Sequence, residues 1–168
     1  MDPEEKQRNY ELAEKLLSEQ NFGAAAIAGI VAMILAAGIY GVVKSLSESL
    51  YYSILAAGIG IVIGFAMQFL GRGIDRKFAV VASVYALLAC MLGNMFAVVM
   101  HVARAIAVSP FDVLLNTSVS EMYGWMFKDL HFANLMFWVI GIGAAAYLAR
   151  RPLTREESLA LHTYVMRR

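Results

Sequence analysis

The sequence predicts an all-α integral membrane protein, a four-helix transmembrane bundle with short flanking amphipathic helices. Composition is the first reason: 60% of the 168 residues are hydrophobic and 16% are charged, against roughly 45–50% and about 25% in ordinary globular chains. The second is the distribution of charge. Residues 22–43, 50–71, 78–100 and 130–149 contain no Asp, Glu, Lys or Arg, and each is close to the ~20 residues that carry a helix across a ~30 Å hydrocarbon core. The third is what remains. Too few polar residues lie outside these segments to clothe four buried helices in water. Helices satisfy their own backbone hydrogen bonds in lipid, whereas a barrel needs many alternating strands of about ten residues.

Residues 1–21 read as a cytoplasmic amphipathic helix. Asp2 is a capping residue, Pro3 suits the first helical position, and Glu4 and Glu5 face the positive end of the helix dipole. Tyr10, Ala13, Leu16 and Leu17 then recur at helical spacing. The first apolar segment is longer than the core of a secretory signal and follows an acidic N-terminus, so it reads as a retained anchor. The links 44–49 and 72–77 are tight and set consecutive spans antiparallel and adjacent.

The connection 101–129 is long enough to carry structure of its own. Ser109, Pro110 and Asp112 mark one helix start, and Ser118 with Glu121 forms the capping box of another. Tyr123, Trp125 and Phe127 favour the membrane interface. One or two short helices are expected flat over the outer mouth, with His101, Arg104 and Trp125 in this outer lid. After the fourth span, residues 150–168 form a basic cytoplasmic tail. There Pro152 breaks the chain, and Thr154 with Glu157 makes a second capping box ahead of a short helix ending in Arg167 and Arg168.

Basic residues set the orientation. Eleven of the 14 Lys and Arg fall before the first span, between the second and third, or after the fourth; only Lys44, Arg104 and Lys128 fall on the other side. The positive-inside rule therefore puts both termini in the cytoplasm.

Lipid removes the hydrophobic drive for helix association, so close backbone approach must supply it. Small residues at four-residue spacing occur in every span, and residues 60–64 form a literal GxxxG motif. Gly29, Gly60, Gly64, Gly93 and Gly141 are the expected packing positions, within one chain or between copies.

The chemistry-bearing inventory is short. Cys90 is alone, and His101, His131 and His162 are scattered outside the apolar interior. No zinc cluster, P-loop, HExxH or GxSxG motif occurs, and balanced charge argues against nucleic acid. No residue set for catalysis, a metal or a cofactor stands out, and no buried carboxylate suits proton-coupled transport. Ser83, Tyr85, Asn94 and Asn134 remain as intramembrane polar groups, with Gln68 near the inner end. An interhelical contact between Asn94 and Asn134 is expected; a polar constriction beneath His101 and Arg104 is the functional alternative. Arg72, Arg76 and Lys77 form a compact basic turn, which reads either as a stop-transfer cluster or as a dock for a cytosolic partner or anionic lipid.

Residues 57–94 resemble a group of uncharacterised small four-span bacterial membrane proteins. Gly58, Gly60, Gly64, Gly71, Gly73, Phe78, Cys90, Gly93 and Asn94 carry the likeness: a glycine-rich second span, a short basic turn, and a third span ending in Cys-x-x-Gly-Asn. The resemblance implies a bacterial inner membrane and makes the second and third spans the structural heart. The function expected is non-enzymatic assembly in the bilayer, as a homo-oligomer or an accessory subunit of a membrane complex. The alternative is a small oligomeric channel or transporter whose pore is lined by polar residues of the third span.

Overall fold

The computed structural model describes residues 3–46, 53–128 and 131–165. Among these, every regular element is a helix: α1 (Pro3–Ser18), α2 (Phe22–Leu46), α3 (Ser53–Gly71), α4 (Arg76–Ala105), α5 (Pro110–Asn116), α6 (Val119–Met126), α7 (Phe132–Leu148) and α8 (Arg155–Val165). Helices α2, α3 and α4 are long and apolar enough to cross a membrane, and α7 is a shorter apolar helix of 17 residues. Asp2, the residues 47–49, the expected span starts Leu50 and Leu130, and Arg167 and Arg168 lie outside the described residues.

The side-chain distribution is that of a membrane protein. Ala25, Ala37, Ala56, Ala82, Ala86, Ala89 and Ala145 are fully buried, while Ile27, Leu35, Ile39, Phe69, Val139 and Tyr147 are exposed. In water such an apolar surface would aggregate. In lipid, exposing large aliphatic groups costs nothing, and a core of alanine and glycine lets backbones approach.

Helix α4 is central. Its buried residues Phe78, Ala82, Ala86, Ala89, Gly93 and Ala97 recur every three or four positions and make one continuous stripe. The most extensive seams join helices that are not neighbours in sequence, α2 with α4 and α3 with α7. Both pairs are parallel. Phe22 meets Phe78 at one end of the first pair, with ring centroids 5.4 Å apart, and Gly41 lies on Gly93, Phe96 and Ala97 at the other. In the second pair Gly60 abuts Gly141, and Gly64 lies against Ala145 and Leu148. The consecutive contacts set by the tight links, α2 with α3 and α3 with α4, are smaller.

At 30 residues, α4 is roughly 45 Å long, more than a ~30 Å core requires. It continues past Met100, where the apolar segment ends, and α5 and α6 fold against this extension. Val99 and Ala103 of α4 bury with Val113 of α5, and Trp125 packs against the cluster. The caps are local, as the sequence pattern requires. Ser109 accepts from Phe111 N at 3.3 Å, and both capping boxes, Ser118 with Glu121 and Thr154 with Glu157, are formed.

At the opposite end α1 packs on α8. Ala13 and Leu16 of the α1 stripe and Ala160 of α8 are buried, and Tyr10 meets Tyr164 edge-on at 6.1 Å. The flanking helices are tied to the inter-helix turn by Asn21 N donating to Gly71 O at 2.9 Å and Arg151 N donating to Gly73 O at 2.8 Å.

Candidate functional site

The polar side chains concentrate at the two ends of the bundle. At the lid end, Asn94 sits on the buried stripe of α4, roughly 27 Å from the start of that helix, and is 0% exposed. Its Oδ1 accepts from Lys44 Nζ at 2.7 Å, and its Nδ2 donates to the Met126 carbonyl at 3.2 Å. One amide therefore ties together α2, α4 and the end of α6. Lys44 reaches it because helical side chains lean toward the N-terminus, so a lysine beyond the apolar segment reaches back along the bundle. A second tie runs from Arg104: Nη1 donates to the Ser45 carbonyl at 2.8 Å and Nη2 to Ser45 Oγ at 3.1 Å. That carbonyl belongs to the last turn of α2, where acceptors lack helical partners and a cation complements the dipole.

Lys44, Ser45, His101, Arg104 and Lys128 line a cavity of about 650 Å3 at this end. Its titratable lining is basic or imidazole; Glu48 and Asp129, the nearest acids in sequence, lie outside the described residues. Glu121 belongs to the lid, where hydrogen bonds from the Ser118 hydroxyl and backbone N–H hold its carboxyl below the usual carboxylate range. Trp125 packs into the cluster beneath the lid and does not line the cavity.

The other polar residues of the apolar helices have separate neighbours. Ser83 Oγ donates to Ala79 O on its own helix at 2.9 Å, and the Tyr85 ring lies on Gly29. Asn134 is fully buried on α7, while the contacts holding the Asn94 amide are those to Lys44 and Met126. Cys90 is buried, and no group of three or more His, Cys, Asp or Glu gathers among the described residues.

The packing glycines lie at helix crossings. A Cβ on Gly60 would meet the Gly141 carbonyl, one on Gly141 the Ala56 carbonyl, one on Gly93 the Tyr40 ring, and one on Gly29 the Tyr85 ring at 2.6 Å. At Gly38, Gly58 and Gly143 such a Cβ would meet no atom within 4 Å beyond the helix's own backbone, among the described residues.

At the basic end, Arg72 follows α3 with φ 46°, a left-handed conformation that glycine adopts without strain. Its guanidinium lies 3.5 Å from Glu19, and Lys77 lies 3.0 Å from Asp75 and over the rings of Phe22 and Phe78. Arg76 opens α4 and is exposed. Gln68 Nε2 donates to the Arg150 carbonyl at 3.1 Å, joining the ends of α3 and α7. Arg151 Nη2 lies 2.8 Å from Glu157. Two grooves, of about 420 and about 550 Å3, meet along Phe65, Gln68 and Arg151.

Sequence reasoning singled out Asn94, His101, Arg104 and the turn arginines, but not the junctions of Lys44 with Asn94 or of Gln68 with Arg150. The signal for the first is a lysine one residue past a charge-free segment; the second has none, because it depends on α3 pairing with α7. No match to this chain is found among known protein families, curated proteins or solved structures, so its own residues carry the functional reading.

Proposed function

We propose that this protein is a non-enzymatic, multi-pass inner-membrane protein that acts through assembly, as a homo-oligomer or as an accessory subunit of a larger membrane complex. Gly38, Gly58 and Gly143 carry this reading. They sit on apolar helices where, among the described residues, an added Cβ would meet no packed neighbour within 4 Å, beside exposed Ile39, Ile54, Val139 and Tyr147. Glycine inside a helix costs roughly 0.5–1 kcal/mol relative to alanine. The chain's own crossings use Gly29, Gly60, Gly64, Gly93 and Gly141; the three open glycines offer equivalent close-approach positions to another helix.

Four spans with both termini in the cytoplasm form part of the proposal. The 11 to 3 distribution of basic residues supports it, as does the packing of α1 on α8 at one end of the bundle. Separate neighbours for Ser83, Tyr85 and Asn94, rather than one continuous polar face, favour assembly over a pore within the chain.

The test is native mass spectrometry from mild detergent together with crosslinking in intact membranes. An oligomer or a stoichiometric partner is expected, and a Gly58→Leu, Gly143→Leu variant should dissociate it while keeping its helical content. A strict monomer by both methods refutes the proposal.

A further inference from the structure

We infer that the groove between the ends of α3 and α7 binds the phosphate of an anionic phospholipid. The inference depends on the chain crossing a membrane, and is independent of whether it acts by assembly. The site is the two adjoining grooves taken together: Arg150 lines one, Arg72 the other, and Arg151 both. Gln68 lies between them on the last turn of α3, where its side chain fastens the two helix ends together. Arg151 shares its charge with Glu157 at 2.8 Å and with Glu19 at 4.0 Å, and Arg72 shares its own with the same Glu19 at 3.5 Å. Arg150 makes no ion pair among the described residues, so the lining keeps a net positive charge.

The groove opens on the lipid-facing surface. Phe65, Phe69 and Tyr147 line or flank it and are 52%, 86% and 77% exposed. Cations at the ends of two apolar helices, with exposed aromatics directly below, match a phosphate headgroup above and an acyl chain below. Basic pockets between membrane helices take anionic headgroups for the same electrostatic reason. A soluble phosphate would use the arginines and leave the aromatic wall without a role.

Arg72 adds a second line of support. Between Gly71 and Gly73 it holds a left-handed backbone conformation, strained for a residue with a side chain and unstrained for glycine. A solvent-screened ion pair with Glu19 offsets little of that strain. A guanidinium kept at a position better suited to glycine fits a charge needed at that point.

The experiment uses the purified full chain in nonionic detergent with equimolar phosphatidylglycerol and phosphatidylcholine of identical acyl chains. Retained lipid is counted by native mass spectrometry. Phosphatidylglycerol should be retained preferentially, on the order of tenfold, because basic side chains between membrane helices favour an anionic headgroup over a zwitterionic one. Arg72→Gly with Arg150→Gln should abolish the preference, whereas Lys128→Gln at the opposite end should leave it intact. Arg72→Gly relieves the left-handed backbone, so folding is preserved; should the pair still misfold, Arg150→Gln alone removes an exposed side chain and must weaken the preference. Equal retention of the two lipids by the unaltered chain overturns the inference, as does an undiminished preference in the arginine variants. Displacement of the lipid by millimolar glycerol phosphate would assign the groove to a soluble anion and overturn it too.

Discussion

Two alanine substitutions on a single helix, two positions apart, should have opposite effects on stability. In Gly58→Ala the new methyl group meets nothing within 4 Å, whereas in Gly60→Ala it runs into the Gly141 carbonyl, with Gly141 Cα 2.8 Å away. Carbon atoms pack at about 3.5–4.0 Å and the carbonyl atoms lie closer than the Cα, so α3 and α7 must separate by more than about 1 Å. A gap of only about 0.5–1 Å already forfeits a quarter to a half of each dispersion contact along the seam. The seam has little slack, because a Cβ on Gly64 would already stand 2.8 Å from Leu148 Cβ. Overpacking of this kind costs about 1–3 kcal/mol. The gain in helix propensity, about 1 kcal/mol, is common to both variants and cancels in the comparison. Gly58→Ala should therefore unfold above Gly60→Ala by about 2–12 °C, using about 2–4 °C per kcal/mol for a chain of this size. Scanning fluorimetry of Trp125 and Trp138, in a detergent that disperses the chain to monomers, measures the difference. Midpoints within 1 °C of each other, or the reverse order, would refute the parallel α3–α7 seam as the basis of the fold.

Other perturbations address the two ends of the bundle. Asn94→Leu removes the acceptor for Lys44 and the donor to Met126, two part-buried hydrogen bonds, at a cost of about 1 kcal/mol each; amide exchange across residues 119–126 should accelerate, and unchanged protection would dissociate Asn94 from the lid. Arg151→Gln severs the contact with Glu157 at 2.8 Å. With Arg151 36% and Glu157 12% exposed the pair is only partly screened, so stability should change by about 1 kcal/mol; α8 should be cleaved faster by protease, and high salt should narrow the difference from the unaltered chain. Acid should fray α6. The Glu121 carboxyl is held below its ordinary range by Ser118, so its contribution is complete above the ordinary carboxylate range and is lost as pH falls through the depressed folded value. Glutamine caps without titrating, so Glu121→Gln should flatten the pH dependence of exchange at the Met122 amide; an identical acid response in both chains would count against the capping box as its cause.

Much of the local structure follows from the sequence because its causes are local. A charge-free segment must satisfy its own backbone in lipid, so composition alone makes residues 22–43 and 78–100 helical. Ser118 and Glu121, or Thr154 and Glu157, meet three residues apart whatever the rest of the chain does. The extension of α4 to Ala105 was harder to read, because His101 and Arg104 look like the end of a span; they continue the helix because α5, α6 and the last turn of α2 give that extension partners.

Tertiary structure alone decided which helices meet. Gly58 and Gly60, or Gly141 and Gly143, are indistinguishable as residues, yet one of each pair lies at a backbone crossing and the other faces outward, since a helix rotates about 200° between them. The tight links pointed to consecutive antiparallel contacts, while the larger seams are the parallel ones, α2 with α4 and α3 with α7. Those seams bring Lys44 to Asn94, Arg104 to Ser45 and Gln68 to Arg150 across 50, 59 and 82 residues. Composition and short-range spacing specify helices and caps through contacts within a turn. Sites assembled from distant helices depend on how small-residue faces interlock, and that is settled only when the bundle packs.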